Sequence, residues 1–342
     1  MESEIDRRTY DVLRLVEQHG PIGSIRLVDL MTRHGYELKD RTVRMILSDL
    51  DDRGLTTKVP GKGRTLTDRG ECELRRGDVA GRLERVRRRI ATLTSQVSYD
   101  PVEETGALVT CSAVVAEDDL KMALDCLERL AETPIGPVPV ALDGTPGSET
   151  THHQLLIPSS ITLDGVFLTH GINTELQTAG IVEYDPTETE TDSAYGDAGG
   201  SIRRYVDVIS GEGSSIDVVS LLIEAGRTAI QPIRAGEAAF LVADDRTAPI
   251  GRLVEARDLS VATRTALGGA IRIDRSREDG RTTGRNVPWG FGSVTYAGTG
   301  EVALAALHEA DLLADWHTLF GVEDATAFEP VRVVSADTLS DW

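Results

Sequence analysis

The chain has 342 residues, a formal net charge of −20 and a sequence pI near 4.8. This length suits two domains, one small and one large. No run of about 18 apolar residues occurs, and the N-terminus is charged from Glu2 onward, so we expect neither a membrane span nor a signal peptide. We therefore expect a cytoplasmic protein.

Basic and acidic residues are distributed unevenly along the chain. Residues 1–97 carry a net positive charge and include Lys39, Lys58 and Lys62, whereas the remainder is strongly acidic. This asymmetry predicts that nucleic acid is the partner of the basic part. The acidic, Lys-poor composition favours a salt-accumulating organism, although an ordinary acidic protein from a GC-rich genome would look similar. Three cysteines without CxxC spacing predict reduced thiols and no zinc site.

Apolar residues at helical spacing predict three short helices in the first 54 residues, each ending near a glycine. Asp40 is the predicted N-cap of the third helix. Two extended runs, 55–59 and 64–67, flank the glycine-rich segment 60–63 and predict a hairpin. Three helices followed by a hairpin is the order of a winged helix-turn-helix.

In a helix-turn-helix the third helix enters the major groove, where its exposed side chains touch base edges. The residues expected at base edges are Arg41, Thr42, Arg44, Met45 and Ser48. The residues expected to hold phosphates, which position the protein without specifying a sequence, are Lys39, Lys58, Lys62 and Arg64. The alternative is a winged helix that binds another protein and whose basic residues are merely solvated.

A linker helix is predicted over residues 78–98. Its apolar residues repeat at spacings of four and three: Val79, Leu83, Val86, Ile90, Leu93 and Val97. Such a seam is typical of a coiled coil and favours a dimerisation helix, and thus a homodimer. The alternative is a single helix packed on its own chain.

The body, residues 99–342, mixes a buried strand at 106–115, an amphipathic helix at 117–132 and an extended stretch at 136–140. Two polar stretches, 143–151 and 185–201, are predicted loops. The fold class is therefore α+β, with a winged helix at residues 1–77, the linker helix and a mixed α/β body.

Several sequence blocks, in order, resemble the archaeal nitrogen-regulation repressor family NrpR. The first is HGYELKDRTVRMILSDLDDRGLTTKVPGKGRTLTDRGECEL in the winged helix. The body continues the resemblance with SITLDGVFLTHG, GIVE, RYVDVISGEGSSID and GEAAFLVA. The similarity runs from about residue 7 to 310, and the organism expected from it and from the composition is a haloarchaeon.

The resemblance implies a repressor of nitrogen-assimilation genes that binds double-stranded promoter DNA and is released by the small carboxylate 2-oxoglutarate. The sequence shows no metal-ligand spacing and no catalytic motif, so we expect no cofactor and no catalysis. Only one effector domain fits into this chain, whereas some relatives carry two, so a second effector-domain subunit is a further expected partner.

The residues expected to bind the effector come from two blocks. The resemblance implies Ser160 and Thr162, while Arg204 could pair with a carboxylate and Ser214 and Ser215 could donate to it from the start of a helix. Plain helix capping explains the two serines equally well. The other functional alternative is an enzyme of nitrogen or carboxylate metabolism with its active site around Arg204, although no catalytic motif is visible.

Overall fold

The structure is a computed structural model, and it describes residues 7–33, 36, 38–77, 79–143, 151–187, 200–210, 215–274 and 290–340. The chain divides into two compact units, Met1–Arg82 and Leu83–Trp342. None of the helices in these described ranges is long and apolar enough to cross a membrane.

The first unit is the predicted winged helix. Its elements are α1 (Arg7–His19), α2 (Ser24–Arg33), α3 (Asp40–Asp52), β1 (Thr56–Val59), β2 (Gly63–Leu66) and α4 (Asp68–Gly77). The strands β1 and β2 form an antiparallel hairpin, and Ile22 adds a bridge to Arg64 of β2. The three helices and the hairpin are confirmed. The sequence interpretation missed α4, and it placed the N-cap of α3 one residue late, because Lys39 occupies that position.

One buried cluster holds this unit together. Its fully buried members come from the first three helices and include Leu13, Leu27, Val43 and Leu47. The hairpin of β1 and β2 lies close against the segment before α2, since a Cβ added at Gly63 would meet the Ile22 carbonyl oxygen at 2.1 Å. With a φ of 117° as well, this position requires glycine.

The second unit, the body, contains two five-stranded antiparallel sheets. The strands of the first sheet are β3 (Ala107–Ala116), β4 (Pro139–Asp143), β5 (His152–Pro158), β11 (Asp315–Asp324) and β12 (Glu329–Pro330). Those of the second are β6 (Glu175–Asp185), β7 (Ser201–Ser210), β8 (Ala239–Pro249), β9 (Ala270–Asp274) and β10 (Phe291–Ala297). Their orders are β11-β3-β5-β4-β12 and β7-β6-β8-β10-β9. The presence of both helices and antiparallel sheets confirms the α+β class.

The helices of the body are α6 (Leu120–Ala131), α7 (Thr162–Thr169), α8 (Ser215–Glu224), α9 (Leu253–Leu267), α10 (Thr299–Glu309) and α11 (Val331–Ser340). Helix α10 is central: residues 299–307 are all buried, and the helix contacts both sheets. The second sheet curls until its edge strands β7 and β9 meet. There the Arg272 guanidinium donates to the carbonyl oxygens of Ile202 and Arg203, at 2.9 Å each.

Helix α5 (Val79–Thr94) crosses the boundary between the two units. Its side chains Ile90 and Leu93 are buried in a cluster of the body that includes Tyr99 and Val166. The helix ends before Val97, which lies in the same cluster. The second half of the predicted seam therefore packs on its own chain, as the alternative interpretation expected. Of the two predicted loops, residues 144–150 and 188–199 lie outside the described residues.

Candidate functional site

Helix α3 presents one buried and one exposed face. Val43, Leu47 and Leu50 are its buried residues. The opposite face carries Arg41, Arg44, Met45 and Ser48, all of them exposed, while Thr42 is half-buried. Met45 is 65% exposed. The residues predicted to read bases thus form a continuous solvent-facing surface.

Arg44 is held at the start of this surface by weak local contacts. Its guanidinium lies 2.6 Å from the Asp40 carboxylate and donates to the Ser24 hydroxyl at 3.3 Å. The ion pair is solvent-exposed, so it is worth about 0–1 kcal/mol and can be given up for a better acceptor. A guanine edge or a phosphate is such an acceptor.

The cations predicted to hold phosphates fall into two groups. Lys39, Lys58 and Lys62 are exposed, the last two on the hairpin. Arg64 differs from the prediction, because its guanidinium donates at 2.9 Å to Asp51 of α3 and both side chains are less than one-fifth exposed. Arg64 therefore fastens the hairpin to α3, and the phosphate contacts of Lys39, Lys58, Lys62 and Arg64 stay a prediction.

Two of the predicted effector residues, Ser160 just before α7 and Thr162 at its start, are buried. The Thr162 hydroxyl donates to the Val109 carbonyl and accepts from the Val109 N–H, both at 3.1 Å, so it fixes α7 to β3. The Ser160 hydroxyl donates to Asp244 at 2.7 Å and to Glu301 at 3.1 Å. Ser160 thus belongs to an internal polar network and not to an open site.

The network is built around three buried carboxyl groups and a buried guanidinium. Arg246 is fully buried and lies 3.0 Å from Asp164 and 2.7 Å from Asp244. At the start of α10, Glu301 accepts from the Ser159 hydroxyl at 2.7 Å and from the Ser160 N–H at 3.0 Å. A buried charge without such partners would be costly.

Burial controls the protonation of these groups. Desolvation and the charge of Asp244 raise the pKa of Glu301 to about 7. On the other face of β8, desolvation raises the pKa of Asp245 to about 6, although hydroxyls of Ser293 and Thr295 donate to it. Desolvation also raises the pKa of the Cys111 thiol well above its ordinary value, which makes it an unreactive thiol.

The remaining predicted effector residues follow β6 in the chain. No described contact joins them to this network. Arg204 lies on β7, is 59% exposed, and pairs with Glu183 of the neighbouring strand at 2.7 Å. Ser215 is the first residue of α8, and Ser214 lies outside the described residues. No three His, Cys, Asp or Glu side chains of the described residues could together hold a metal ion.

Sequence interpretation missed Asp164, Asp244, Arg246 and Glu301. The sequence does contain a signal for Asp164 and for the pair Asp244 and Arg246. Asp164 interrupts an apolar helix, and the charged triplet 244–246 follows an apolar strand without any turn residue. Charged residues inside apolar runs are buried only when paired, so such interruptions point to partners elsewhere in the chain.

A winged helix with an exposed basic surface, joined to a larger α/β body, defines the architecture of a regulatory protein. Comparison with known families agrees with this class. The family described as NrpR regulatory domains NRD1 and 2 matches residues 83–329, and the Ribonuclease R winged-helix domain matches residues 10–74. Since the first match covers most of the chain, the chain belongs to the NrpR family. The predicted resemblance is confirmed.

Relatives of the chain are regulators by name. Global nitrogen regulator NrpRI of Methanosarcina mazei is 26% identical over 80% of this chain and 83% of its own length. Global nitrogen regulator NrpR of Methanococcus maripaludis is 27% identical over 67% of this chain but only 38% of its own length. These are regulatory proteins and not enzymes, which removes the enzyme alternative.

A solved structure supports the fold. The crystal structure of a nitrogen repressor-like protein from Methanococcus jannaschii matches with a TM-score of 0.55 at 18% identity. The match covers 72% of this chain and 98% of that one. At this identity the likeness concerns the fold alone.

Proposed function

We propose that this chain is a repressor that binds promoter DNA of nitrogen-assimilation genes and responds to 2-oxoglutarate. The observation that carries the proposal is the exposed face of α3, with Arg41, Arg44 and Ser48 opposite its buried side, in a chain of the NrpR family. The third helix of a helix-turn-helix reads base edges through such a face.

The DNA part is tested by titrating fluorescent promoter DNA and random DNA with the full chain at one fixed salt concentration. Arg44→Ala should weaken promoter binding by about 1–3 kcal/mol and relax specificity, while Lys62→Ala should weaken both DNAs alike. Arg227→Ala is the matched control, because Arg227 forms a similarly exposed ion pair, with Asp207, in the body. Equal losses on both DNAs for Arg44→Ala would contradict base reading.

We place the carboxylate effector at Arg204 of β7. The support is chemical: its guanidinium is mostly exposed and already binds a carboxylate, that of Glu183. A ligand carboxylate would replace Glu183 in a charge-assisted contact. Ser215, at the start of α8, would present backbone N–H groups to an anion, as helix N-termini do.

The effector part is tested by adding 2-oxoglutarate to preformed protein–DNA complexes. Arg204→Ala should bind promoter DNA normally but no longer release it. Glu183→Gln should release it at a lower effector concentration, since the competing carboxylate is gone. Normal release by Arg204→Ala would place the effector elsewhere, and Arg227→Ala again serves as the control.

A homodimer that spans a palindromic operator remains part of this proposal. Because Ile90 and Leu93 are buried in the body, we propose a dimer contact outside the second half of α5. Sedimentation of the full chain with and without operator DNA tests the oligomeric state, and a monomer that binds one half-site would contradict the dimer. A second effector-domain subunit would appear as a heavier complex in cell extract.

A further inference from the structure

Met45 lies on the exposed face of α3, among the residues that are proposed to read base edges. Arg41 stands four residues before it and Ser48 three residues after it, and both are exposed. Residues three and four positions apart are neighbours on one face of a helix, so Met45 lies between these two polar side chains. Its own side chain is 65% exposed. Met45 therefore presents an apolar surface in the middle of the face that would enter the major groove.

The charges around Met45 favour nucleic acid as the partner that covers it. Arg41 and Arg44, both exposed, place two cations on the N-terminal side of Met45. Asp49, four residues after Met45, is paired with Arg53 at 2.9 Å, so a cation offsets its negative charge. Cations beside an apolar group suit the DNA surface, because the phosphates that border the groove attract them.

The major groove offers an apolar side chain one matching group. Each base pair presents hydrogen-bond donors and acceptors there, and the apolar group among them is the C5-methyl of thymine. The thioether of methionine donates no hydrogen bond and accepts only weakly, so it gains little from the polar edges of guanine, adenine or cytosine. Against a methyl group it removes apolar surface from water, and its flexible side chain can adapt to the position of that methyl. The chemistry of the groove therefore selects thymine.

We propose that Met45 contacts the C5-methyl group of a thymine and so contributes to the sequence preference of this chain. The inference rests on the proposed promoter binding, and it names one feature of the bases that this binding reads. An α-helix rises about 1.5 Å per residue, so Arg41 and Met45 are about 6 Å apart along α3, less than two base-pair steps of about 3.4 Å. Both side chains can therefore contact the same short stretch of groove.

The test compares two forms of one promoter DNA, the second with uracil in place of every thymine. Uracil keeps the base pairing and the O4 acceptor and lacks only the methyl group. Fluorescent samples of both forms, and of both forms of a random DNA, are titrated with the full chain at one fixed salt concentration. Wild type should bind the uracil promoter about fourfold more weakly for each methyl in contact, as the burial of one carbon predicts. The two forms of random DNA should bind nearly alike, because phosphate contacts dominate there.

Two substitutions of Met45 separate its role from a general effect of uracil on DNA shape. Met45→Gln has a similar length but a polar end, so it should bind the two promoter forms alike. Met45→Leu keeps an apolar end and should keep the preference for thymine. Ile25→Ala is the matched control, because Ile25 is 71% exposed at the start of α2 in the same unit, and this variant should also keep the preference. All three variants should fold, since both side chains are exposed.

The outcomes distinguish this inference from the proposed function. Selective promoter binding by wild type with equal affinity for the thymine and uracil forms would overturn the inference and leave the proposed function intact. A preference for thymine that survives in Met45→Gln, or that disappears in Ile25→Ala, would assign the methyl contact to another residue and overturn the inference as well. Absence of any preference of wild type for promoter over random DNA would overturn the proposed function, and the inference with it.

Discussion

Glu301→Gln should change how the stability of the chain depends on pH. Glu301 is buried at the start of α10, and its pKa is raised to about 7 from an ordinary 4.5. Between these two values the folded chain holds a proton that the unfolded chain has lost. The free energy of unfolding of the wild type therefore contains a term from Glu301 that decreases as pH rises from about 4.5 to about 7.

The size of this term follows from the shift. Each pKa unit corresponds to about 1.4 kcal/mol. The raised pKa of Glu301 therefore makes the wild type on the order of 3 kcal/mol less stable at pH 8 than at pH 4. Glutamine has nearly the same shape and can accept from Ser159 and Ser160 through its carbonyl oxygen, but it does not ionise. The variant lacks this pH-dependent loss.

Urea unfolding of both proteins at pH 5 and pH 8, with the same KCl concentration throughout, measures the effect. The free energy of unfolding of Glu301→Gln, taken relative to that of wild type, should be higher at pH 8 than at pH 5 by about 2.5 kcal/mol. The exposed Glu224→Gln is the control and should follow wild type at both values. A Glu301→Gln curve parallel to wild type across this range would refute the reasoning, because it would mean that Glu301 titrates alike in both states.

Two further changes test the core of the body. Arg246→Met removes the cation between Asp164 and Asp244, which should lower the free energy of unfolding by about 3–5 kcal/mol, and adding Asp164→Asn should recover part of it; a loss below about 1 kcal/mol would show that water replaces the guanidinium. Leu93→Ala should cost about 2–5 kcal/mol in urea unfolding and leave the sedimentation coefficient unchanged. Dissociation of an oligomer by Leu93→Ala would instead assign α5 to a subunit interface.

The winged helix was predictable because its signals are local. Apolar spacing gave α1, α2 and α3, and the segment 60–63 gave the hairpin, since helix period and turn residues act within a few positions. The role of Arg64 was not predictable in this way. Its partner Asp51 lies 13 residues away, on another element, and only the fold brings the two together.

The body shows the same division between local and long-range information. The strand at 106–115 and the helix at 117–132 were predicted within a few residues, but the network of Ser160, Asp244 and Glu301 joins three distant segments. The family resemblance pointed to Ser160 and Thr162 as effector residues, and the structure shows both bonded to groups of the body itself. Similarity to the sequence blocks of a family therefore identifies positions under constraint. It does not distinguish a residue that contacts a ligand from one that contacts the rest of the chain.

The seam of α5 shows why periodicity alone cannot name a partner. Apolar residues at alternating spacings of four and three indicate only that one face of the helix is buried. They do not indicate which partner buries it. Leu93 is 2% exposed and packs against the body of its own chain, so the repeat is explained without a second copy.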